Sequence, residues 1–465
     1  MSSLTITGSD GPAAAEIKVS VWLRSIARRN LFQQAMADKT TLPAAQSCRS
    51  EHRGVICVTP FCMIQIRAMT NPFQFGRELG ADELVDRDDE IAEVMATIRQ
   101  GGKLFLVGPR RYGKTSILKA AEDKLVAEGA VVLRYDAESY PSLDSLVTAL
   151  VTGAAKGLKG SVERTGEHIR EVFAKLRPEV SFSITDREWR VKLGVATAEN
   201  GGKNVELLVD ALDGLERLAK AQAKTRPVGL VIDEFQKVID VAGSTAEAQI
   251  RAAIQRHKRT GYVFAGSKTR LLTAMTMDAA RPFYRLGRLR FIGPVPRADF
   301  REFLRSRLVE SGFSVPGKEG EEALDLILRA AEEVPYNVQV LAHGCWDQLR
   351  AGKTARERVL NPGAVEQSLE RIVRQYDPFY TQLWNRLTAI QQKTLMAVIS
   401  EQGMNLQSMR VVRVLGKGPS TVRRSLEALM GRDILREEEQ QGSVRMRFED
   451  PFFAQWIRKF AANLS

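Results

Sequence analysis

Cysteine is scarce in this sequence, four residues in 465. That is too few for a disulfide framework in a chain of this length, so a small oxidised secreted scaffold is excluded and a reducing, cytoplasmic setting is expected. Long apolar runs are missing too. The longest, VICVTPFCMIQI over 55–66, is interrupted by Thr, Pro and Gln and has roughly half the length that a membrane-spanning helix needs. No membrane partner is expected. The start of the chain lacks the charged segment, apolar run and small-residue cleavage site of a secretory signal, and Asp10, Glu16 and Asp38 disfavour a mitochondrial-type arm. Internal repeats are absent. What is present is an ordinary 44% of hydrophobic residues, which excludes wholesale disorder, and a length that suggests about three domains.

The formal net charge of +12 is unevenly placed. Residues 1–68 hold 8 basic and 4 acidic residues, and residues 386–465 hold 13 basic and 8 acidic ones. The 317 residues between are nearly balanced. A basic C-terminal module on a neutral body fits nucleic-acid contact, and it fits equally a solvated surface that happens to be basic.

Residues 1–68 show no sustained helical or strand period, and well-patterned sequence begins at Asn71-Pro72-Phe73. The expectation is a disordered or misassigned extension over 1–68, with the true start at Met69 or Met63. Cys48, His52, Cys57 and Cys62 lie there, without the paired short loops of ordinary zinc sites. Cys345, on an amphipathic stretch, reads as a core residue.

From 84 onward the pattern is α/β. LVDRDDEIAEVMATIRQ (84–100) reads as a helix, KLFLVG (103–108) as a strand, KTSILKAAEDKLVAEG (114–129) as a helix stopped by Gly129, and AVVLRYDA (130–137) as a second strand. VGLVIDEF (228–235), GYVFAGS (261–267) and LRFIGPV (289–295) supply three more strands. Short buried strands alternating with helices predict a parallel sheet covered on both faces. SFSIT and EWRVKLG, within 160–205, read as an inserted hairpin. After Pro296 only helical patterns follow. The predicted organisation is a P-loop α/β domain over 69–296, an all-α lid over 297–375 and a winged helix-turn-helix domain over 376–465.

Gly108-Pro109-Arg110-Arg111-Tyr112-Gly113-Lys114-Thr115, followed by Ser116, leaves a strand and opens a helix, which is the context a phosphate-binding P-loop requires. The glycines let main-chain N–H groups curl inward, and the helix brings its positive end to the same anion. Lys114 is placed to neutralise the β- and γ-phosphates of ATP and Thr115 to ligate Mg2+. In LVIDE (230–234) an apolar run ends in two acids at the tip of a buried strand, where open α/β sheets bind ligands. Asp233 is the metal-side acid and Glu234 the group that orients and deprotonates the attacking water. An acid directly after the aspartate, and a strand between the two motifs, fit the hydrolysing branch of P-loop enzymes. Ser267 could bond the γ-phosphate or the water, or be a turn serine. Arg288 or Arg285 could be an arginine finger, or loop charge. Arg110 and Arg111 are placed to touch phosphate or a neighbouring acid. Asp86-Arg87-Asp88 could line an adenine pocket or cap a helix.

In the C-terminal module, LTAIQQKTLMAVISEQG (387–403), NLQSMRVVRVLG (405–416) and PSTVRRSLEALMGRD (419–433) read as three helices, and ILREEEQQGSVRMRF (434–448) as a hairpin. Lys417, Arg423 and Arg424 at the start and exposed face of the recognition helix, with Arg445 and Arg447 on the wing, are the DNA-contact candidates. Glu437, Glu438 and Glu439 on the other wing strand would repel phosphate. The alternative is a protein-docking surface.

NPFQFGRE (71–78), VDRDDEI (85–91), GPRRYGKTSIL (108–118), LVIDEFQ (230–236), FAGS (264–267), RPFYRLGR (281–288) and EDPFFAQWI (449–457) together resemble the archaeal-type ATPase family. These are P-loop proteins near the AAA+ and STAND classes, related to the origin-recognition initiators and carrying a C-terminal winged helix. The resemblance runs from Asn71 to the end. It implies ATP binding by Lys114 and Thr115, hydrolysis by Asp233 and Glu234, and a preference for adenine. The family often carries Gly-Pro-Tyr in its lid; here Val334 precedes Pro335-Tyr336, and no sensor arginine follows at once. Three functions remain open: a slow ATPase switch, an initiator-like DNA-binding or regulatory protein in which ATP is mainly structural, and a signalling scaffold that assembles on nucleotide exchange with a protein partner or as an oligomer.

Overall fold

The computed structural model describes residues 70–465 apart from 159–160, 195–201, 223–225, 244–245, 353, 355–357, 441–442 and 461–465. The expectations for residues 1–68, the start at Met63 or Met69, and the Cys48, His52, Cys57 and Cys62 set lie outside the described residues.

The first half alternates as its pattern predicts. Helix α1 (Asp88–Arg99), strand β1 (Lys103–Val107), α2 (Lys114–Ala127) and β2 (Val131–Asp136) are followed by α3 (Leu143–Gly157) and α4 (Val162–Val172). The hairpin β3 (Pro178–Ser183) and β4 (Glu188–Leu193) follows, paired antiparallel, and then α5 (Gly202–Gln222). The sheet resumes with β5 (Val228–Asp233), α6 (Gln236–Ala242), α7 (Ala246–Arg256), β6 (Thr260–Gly266), α8 (Thr269–Met277) and β7 (Arg288–Phe291). The five long-range strands form one parallel sheet in the order β2-β5-β6-β1-β7. Strand β6 therefore stands between the strand that leads into the glycine loop and the strand that ends in Asp233.

Every residue of β5 and β6 is buried. The side chains divide by the two-residue period of a strand. Leu104, Leu106, Val231, Val263 and Ala265 pack under α1 and α2, while Phe105, Val107, Leu230, Ile232, Tyr262 and Phe264 pack under α3 and α5. At ~1.5–3 kcal/mol per fully buried large apolar side chain, this two-faced burial is the main force that aligns the strands. Because all five run parallel, their C-terminal ends meet along one edge.

Helix α1 starts four residues later than the sequence pattern predicts. Asp86 is left-handed, φ +48°, which breaks the run. Asp88, Asp89 and Glu90 then occupy the first turn, where carboxylates favour the helix dipole.

The second half is helical, with α9 (Arg297–Glu310), α10 (Gly317–Ala330), α11 (Pro335–Ala351) and α12 (Pro362–Gln375). Beyond it lie α13 (Asp377–Asn385), α14 (Ala389–Ser400), α15 (Met409–Leu415), α16 (Pro419–Gly431), the antiparallel pair β8 (Leu435–Gln440) and β9 (Ser443–Phe448), and α17 (Pro451–Phe460). Helices α13 and α17, absent from the sequence reading, bracket the three helices and hairpin. They are locked together where Tyr380 Oη donates to Asp450 at 3.0 Å and Trp456 Nε1 donates to Asp377 at 2.6 Å. Helix α15 begins at Met409, not near 405, because Asn405 is left-handed and Ser408 caps the helix through the Val411 N–H. Trp346, Leu349, Val373, Trp384, Leu395, Leu426 and Trp456 belong to one continuous apolar core. The lid helices and the winged-helix elements thus share a single interior. Cys345 is buried in it and unbridged. Among the described residues no helix is long and apolar enough to cross a membrane.

One buried carboxylate sets the register of β6. Glu216 on α5 accepts the N–H groups of Lys258 (3.0 Å), Arg259 (3.2 Å) and Thr260 (2.9 Å) and the Thr260 hydroxyl (3.0 Å). Beside it His257 bridges Tyr262 Oη and Asp213. Burial pushes the Glu216 carboxyl up, but its main-chain donors outweigh burial and hold it below the ordinary value. Its contribution is therefore complete above an unfolded pKa of about 4.3 and is lost as pH falls through the lower folded value. Replacing Glu216 by Leu strands three N–H groups and should cost about 3 kcal/mol, read as a lower urea midpoint at neutral pH. The parent should lose this stabilisation below pH ~4, and that acid-dependent loss should be diminished in Glu216→Leu. An unchanged midpoint would refute this role.

Candidate functional site

Four segments leave the C-terminal edge of the sheet side by side: the loop after β1, Asp136 after β2, Asp233-Glu234 after β5 and Ser267 after β6. Register fixes this, since Val107 pairs with Gly266, Ile232 with Phe264 and Asp136 with Asp233.

The loop 108–113 has the shape its glycines predict. Gly113 caps α2 at φ +87°, and nothing lies within 4 Å of where a side chain would stand. Gly108 has a different reason: a Cβ there would meet the Ile292 carbonyl oxygen at 2.8 Å, so it permits the close passage of the chain beyond β7. Helix geometry leaves the N–H groups of Lys114, Thr115 and Ser116 without intrahelical acceptors. Lys114 is 5% exposed. Its Nζ donates only to main-chain carbonyls, Gly108 at 2.8 Å and Pro109 at 2.9 Å. Burial pushes its pKa down, opposed by Glu234 and Asp233. A buried ammonium without an ion-pair partner carries a desolvation cost of several kcal/mol, which an incoming anion would relieve.

Thr115 Oγ1 donates to Asp233 Oδ2 at 2.7 Å. Burial pushes the Asp233 carboxyl up, against the Thr115 hydroxyl and Lys114. A hydroxyl and a buried carboxylate at this spacing are hard oxygen donors of the kind that Mg2+ takes. Glu234, left-handed at φ +48°, turns its carboxylate to Ser267, accepting from its N–H at 3.2 Å and its hydroxyl at 2.9 Å, and also to Gln236.

These groups open on a cavity of about 460 Å³ whose lining includes Phe75, Leu84, Val85, Lys114, Tyr336 and Gln339. Its size suits a small-molecule ligand. Gln339 is 5% exposed, and its Oε1 is buried without a hydrogen-bond partner. A buried ammonium, a cradle left open by Gly113 and an unpartnered amide in one cavity fit a polyphosphate carrying a polar ring. The walls from 73–87 and from 335–339 are marked in the sequence only by the NPFQFGRE and VDRDDEI segments and the Pro335-Tyr336 step quoted above, because no periodicity marks a chain that wraps a pocket.

The structure brings Gly108, Pro109, Gly113, Lys114, Thr115, Asp233, Glu234 and Ser267 together and disperses other candidates. Ser116 Oγ accepts the Leu79 N–H at 3.0 Å and so pins the N-terminal segment. Arg87 lines the cavity, but its Nη2 donates to the Gly293 carbonyl at 2.7 Å. Arg285 lies over the Tyr284 ring. Arg288, expected beside the phosphates as a finger, opens β7 opposite Leu104, at the edge remote from the loop. It bonds Thr97 at 3.2 Å and pairs with Glu93 at 3.5 Å. In a parallel sheet the first residue of a strand cannot reach the ligand edge of its own chain.

The other loop residues turn toward the rest of the chain. The Arg111 guanidinium lies 5.1 Å from the Tyr336 ring centre on α11, and Tyr336 N–H donates to the Arg111 carbonyl at 3.3 Å. Tyr112 is buried beneath Arg436 of β8, 5.8 Å from guanidinium to ring centre. Arg110 pairs with Asp433 at 3.1 Å. That pair is exposed and contributes ~0–1 kcal/mol. Arg436 is 8% exposed and also donates to the Phe448 carbonyl at 2.8 Å, so it is the stronger anchor.

The wing is correspondingly not free. Glu437 pairs with Arg270 on α8, so this acid faces the body of the protein. Arg447, expected to face DNA, pairs with Glu438 at 2.9 Å and with Glu332 at 3.7 Å. Despite burial, these acids hold its guanidinium pKa above the ordinary value. Arg445 is half-buried, donating to the Gln402 carbonyl at 2.7 Å. On α16, Arg423 pairs with Glu427 at 2.9 Å and Arg424 is exposed, as is Lys417 in the turn just before the helix.

Residues 378–459 match the family model described as a probable winged helix domain. A solved structure of the Walker-type ATPase of Pyrococcus abyssi is similar, with TM-score 0.53 and 17% identity over 83% of this chain and 99% of that one. The Aeropyrum pernix ORC2 protein (TM-score 0.46, 13% identity, 85% and 98% covered) and the Thermotoga maritima RuvB branch migration motor (TM-score 0.40, 13% identity, 80% and 96% covered) are more distant likenesses. No curated protein sequence matches. The fold is a P-loop α/β sheet with a helical region and a C-terminal winged helix, in keeping with the resemblance read from the motifs.

Removing the anchor should loosen the wing. Arg436→Met is expected to raise amide hydrogen exchange over 435–448 by at least tenfold, whereas Arg110→Ala should change it little. Equal exchange in both variants would remove Arg436 from this role.

Proposed function

We propose that this chain is an ATP-hydrolysing switch whose nucleotide state is passed to the winged helix through the phosphate-binding loop. The observation that carries the proposal is that one loop serves three neighbours. Lys114 and Thr115 face the cavity, Arg111 stacks on the lid tyrosine Tyr336, and Tyr112 is clamped under Arg436 of the wing. A ligand that reshapes residues 110–115 would therefore act on both contacts at once.

In this reading the amides of the loop and the first turn of α2 cradle the phosphates, and Lys114 exchanges two carbonyl acceptors for phosphate oxygens. Thr115 and Asp233 would hold Mg2+, which supplies charge neutralisation at the transferring group. Glu234 would orient the attacking water and take its proton. Ser267, bonded to the Glu234 carboxylate, positions that base. Gln339 offers a buried acceptor for the exocyclic amine of adenine, with Leu84, Val85 and Pro335 supplying apolar walls.

The shared core constrains the switch. Because the lid and the winged helix have one interior, they would turn together against the α/β sheet, with the Arg436–Tyr112 and Arg270–Glu437 contacts as the seam that opens. A second reading, DNA contact through α16, is favoured by the exposure of Lys417 and Arg424 on a matched winged-helix segment.

Lys114→Ala should abolish binding of a fluorescent ATP analogue. Glu234→Gln should bind it normally and lose at least a hundredfold in phosphate release. Normal turnover by Glu234→Gln would overturn the base assignment. No calorimetric heat with any purine triphosphate plus Mg2+ would overturn the function itself.

A further inference from the structure

Away from the nucleotide cavity, a second cleft of about 200 Å³ lies between the end of α10, strand β9 and helix α17. Four arginines, Arg329, Arg445, Arg447 and Arg458, line it against a single carboxylate, Glu332. Arg447 and Glu332 face one another at 3.7 Å, and Arg447 is further held by Glu438, so those charges are met internally. Arg329 and Arg458 make no ion pair among the described residues, and both are exposed. Arg445 is fixed by its Nε bond to the Gln402 carbonyl. Nearby cations are treated differently by the fold. Arg297 and Arg301 pair with Asp325, Arg305 pairs with Glu321, and Lys459, next to Arg458, pairs with Glu370 at 2.6 Å.

We propose that this cleft is a phosphate-binding site in which Arg329, Arg445 and Arg458 seat one backbone phosphate of a nucleic acid. Uncompensated guanidiniums that line a polar recess raise the local positive potential, and their planar forks match the paired oxygens of phosphate as well as those of carboxylate. The cleft is smaller than the ~300 Å³ at which sites for whole small molecules begin, so it suits a single phosphate group, not a complete nucleotide. A phosphodiester presents such a group on the outside of a polymer. The choice of nucleic acid as its source rests on the DNA reading above; free inorganic phosphate is the other source of the same chemistry. The site lies on β9 and α17, apart from α16, so it would add a contact beyond the recognition helix.

The test uses the full chain with labelled duplex DNA, following fluorescence anisotropy across a salt series, and calorimetry with inorganic phosphate alone. Arg329→Ala/Arg458→Ala should lower the log–log salt slope by about one, the value for one lost phosphate contact, and weaken binding on the order of tenfold at 0.1 M salt. Arg329→Lys/Arg458→Lys keeps the charges and should retain most of the slope, which separates charge from misfolding. Binding of the fluorescent ATP analogue should be unaffected in both, which separates this site from the nucleotide reading. If the protein ignores DNA but binds inorganic phosphate, and the alanine variant loses that binding, the phosphate site stands with free phosphate as its source. If neither DNA slope nor phosphate binding differs between the parent and the alanine variant, the proposal is overturned.

Discussion

The buried ammonium of Lys114 is the constraint on which this architecture turns. It sits at the head of α2 with two main-chain carbonyls as its acceptors, while Asp233 and Glu234 stand across the edge beyond ion-pair reach. Such a charge is expensive to keep dry, and it is kept dry by everything around it. The buried strands fix the edge, Ser116 pins the segment 73–87, and the lid closes from the other side with Pro335 and Tyr336. A site built around an unpaired cation is poised for an anion, and main-chain N–H groups at the start of a long helix set the type of anion.

The position of the winged helix follows from the same loop. A P-loop needs glycine at its bends and lysine and a hydroxyl at its end, but the residues between are free of that chemistry. Here they are Arg110, Arg111 and Tyr112, and each reaches an element outside the sheet. The exposed Arg110–Asp433 pair contributes little; Tyr112 under Arg436 is buried on both sides. Since lid and winged helix share one core, the Tyr112–Arg436 contact ties the loop to an interior common to both. The absence of glycine before Pro335 fits this arrangement. Val334 packs into the sheet-side core, and the strained backbone falls instead on Glu332 and Glu333, both left-handed, the first of which meets Arg447 of the wing.

Much of this was legible from residue order. The strands of the sheet, the inserted hairpin and the convergence of Lys114, Thr115, Asp233 and Glu234 follow from local patterns, because a parallel sheet turns sequence motifs at strand ends into spatial neighbours. Orientation across the sheet was less accessible. Arg288 sits three residues from the correct end of β7, and no single-strand pattern tells which neighbouring helix its side chain meets. The wing was misjudged for a related reason. Glu437 and Arg447 look solvent-facing on an alternating hairpin, and only the docking of that hairpin against α8 and the turn after α10 pairs them with the body. Helix α17 is amphipathic, with Phe452, Phe453, Trp456 and Ile457 buried on one face and Arg458 and Lys459 exposed on the other; its segment stood out in the sequence only for its resemblance, not as a helix.

The charge of the C-terminal module takes on a different meaning once pairing is counted. Its excess of basic residues fitted nucleic-acid contact and a solvated basic surface equally, and in the structure Arg410, Arg423, Arg436 and Arg447 are all opposed by carboxylates. Of the acidic wing residues that argued against phosphate contact, Glu437 pairs with Arg270 of the body and Glu438 with Arg447 of the wing itself. Among the exposed cations that make no ion pair among the described residues are Lys417 and Arg424 around α16, Arg386, Lys393, Arg413 and Arg432 elsewhere on the module, and the arginines Arg329 and Arg458 at the cleft between α10 and α17. Net charge alone could not separate these, because coulombic energy depends on the nearest partner far more than on the total. If the proposed switch operates through Tyr112 and Arg436, that contact would also govern how these exposed cations are presented to a polyanion.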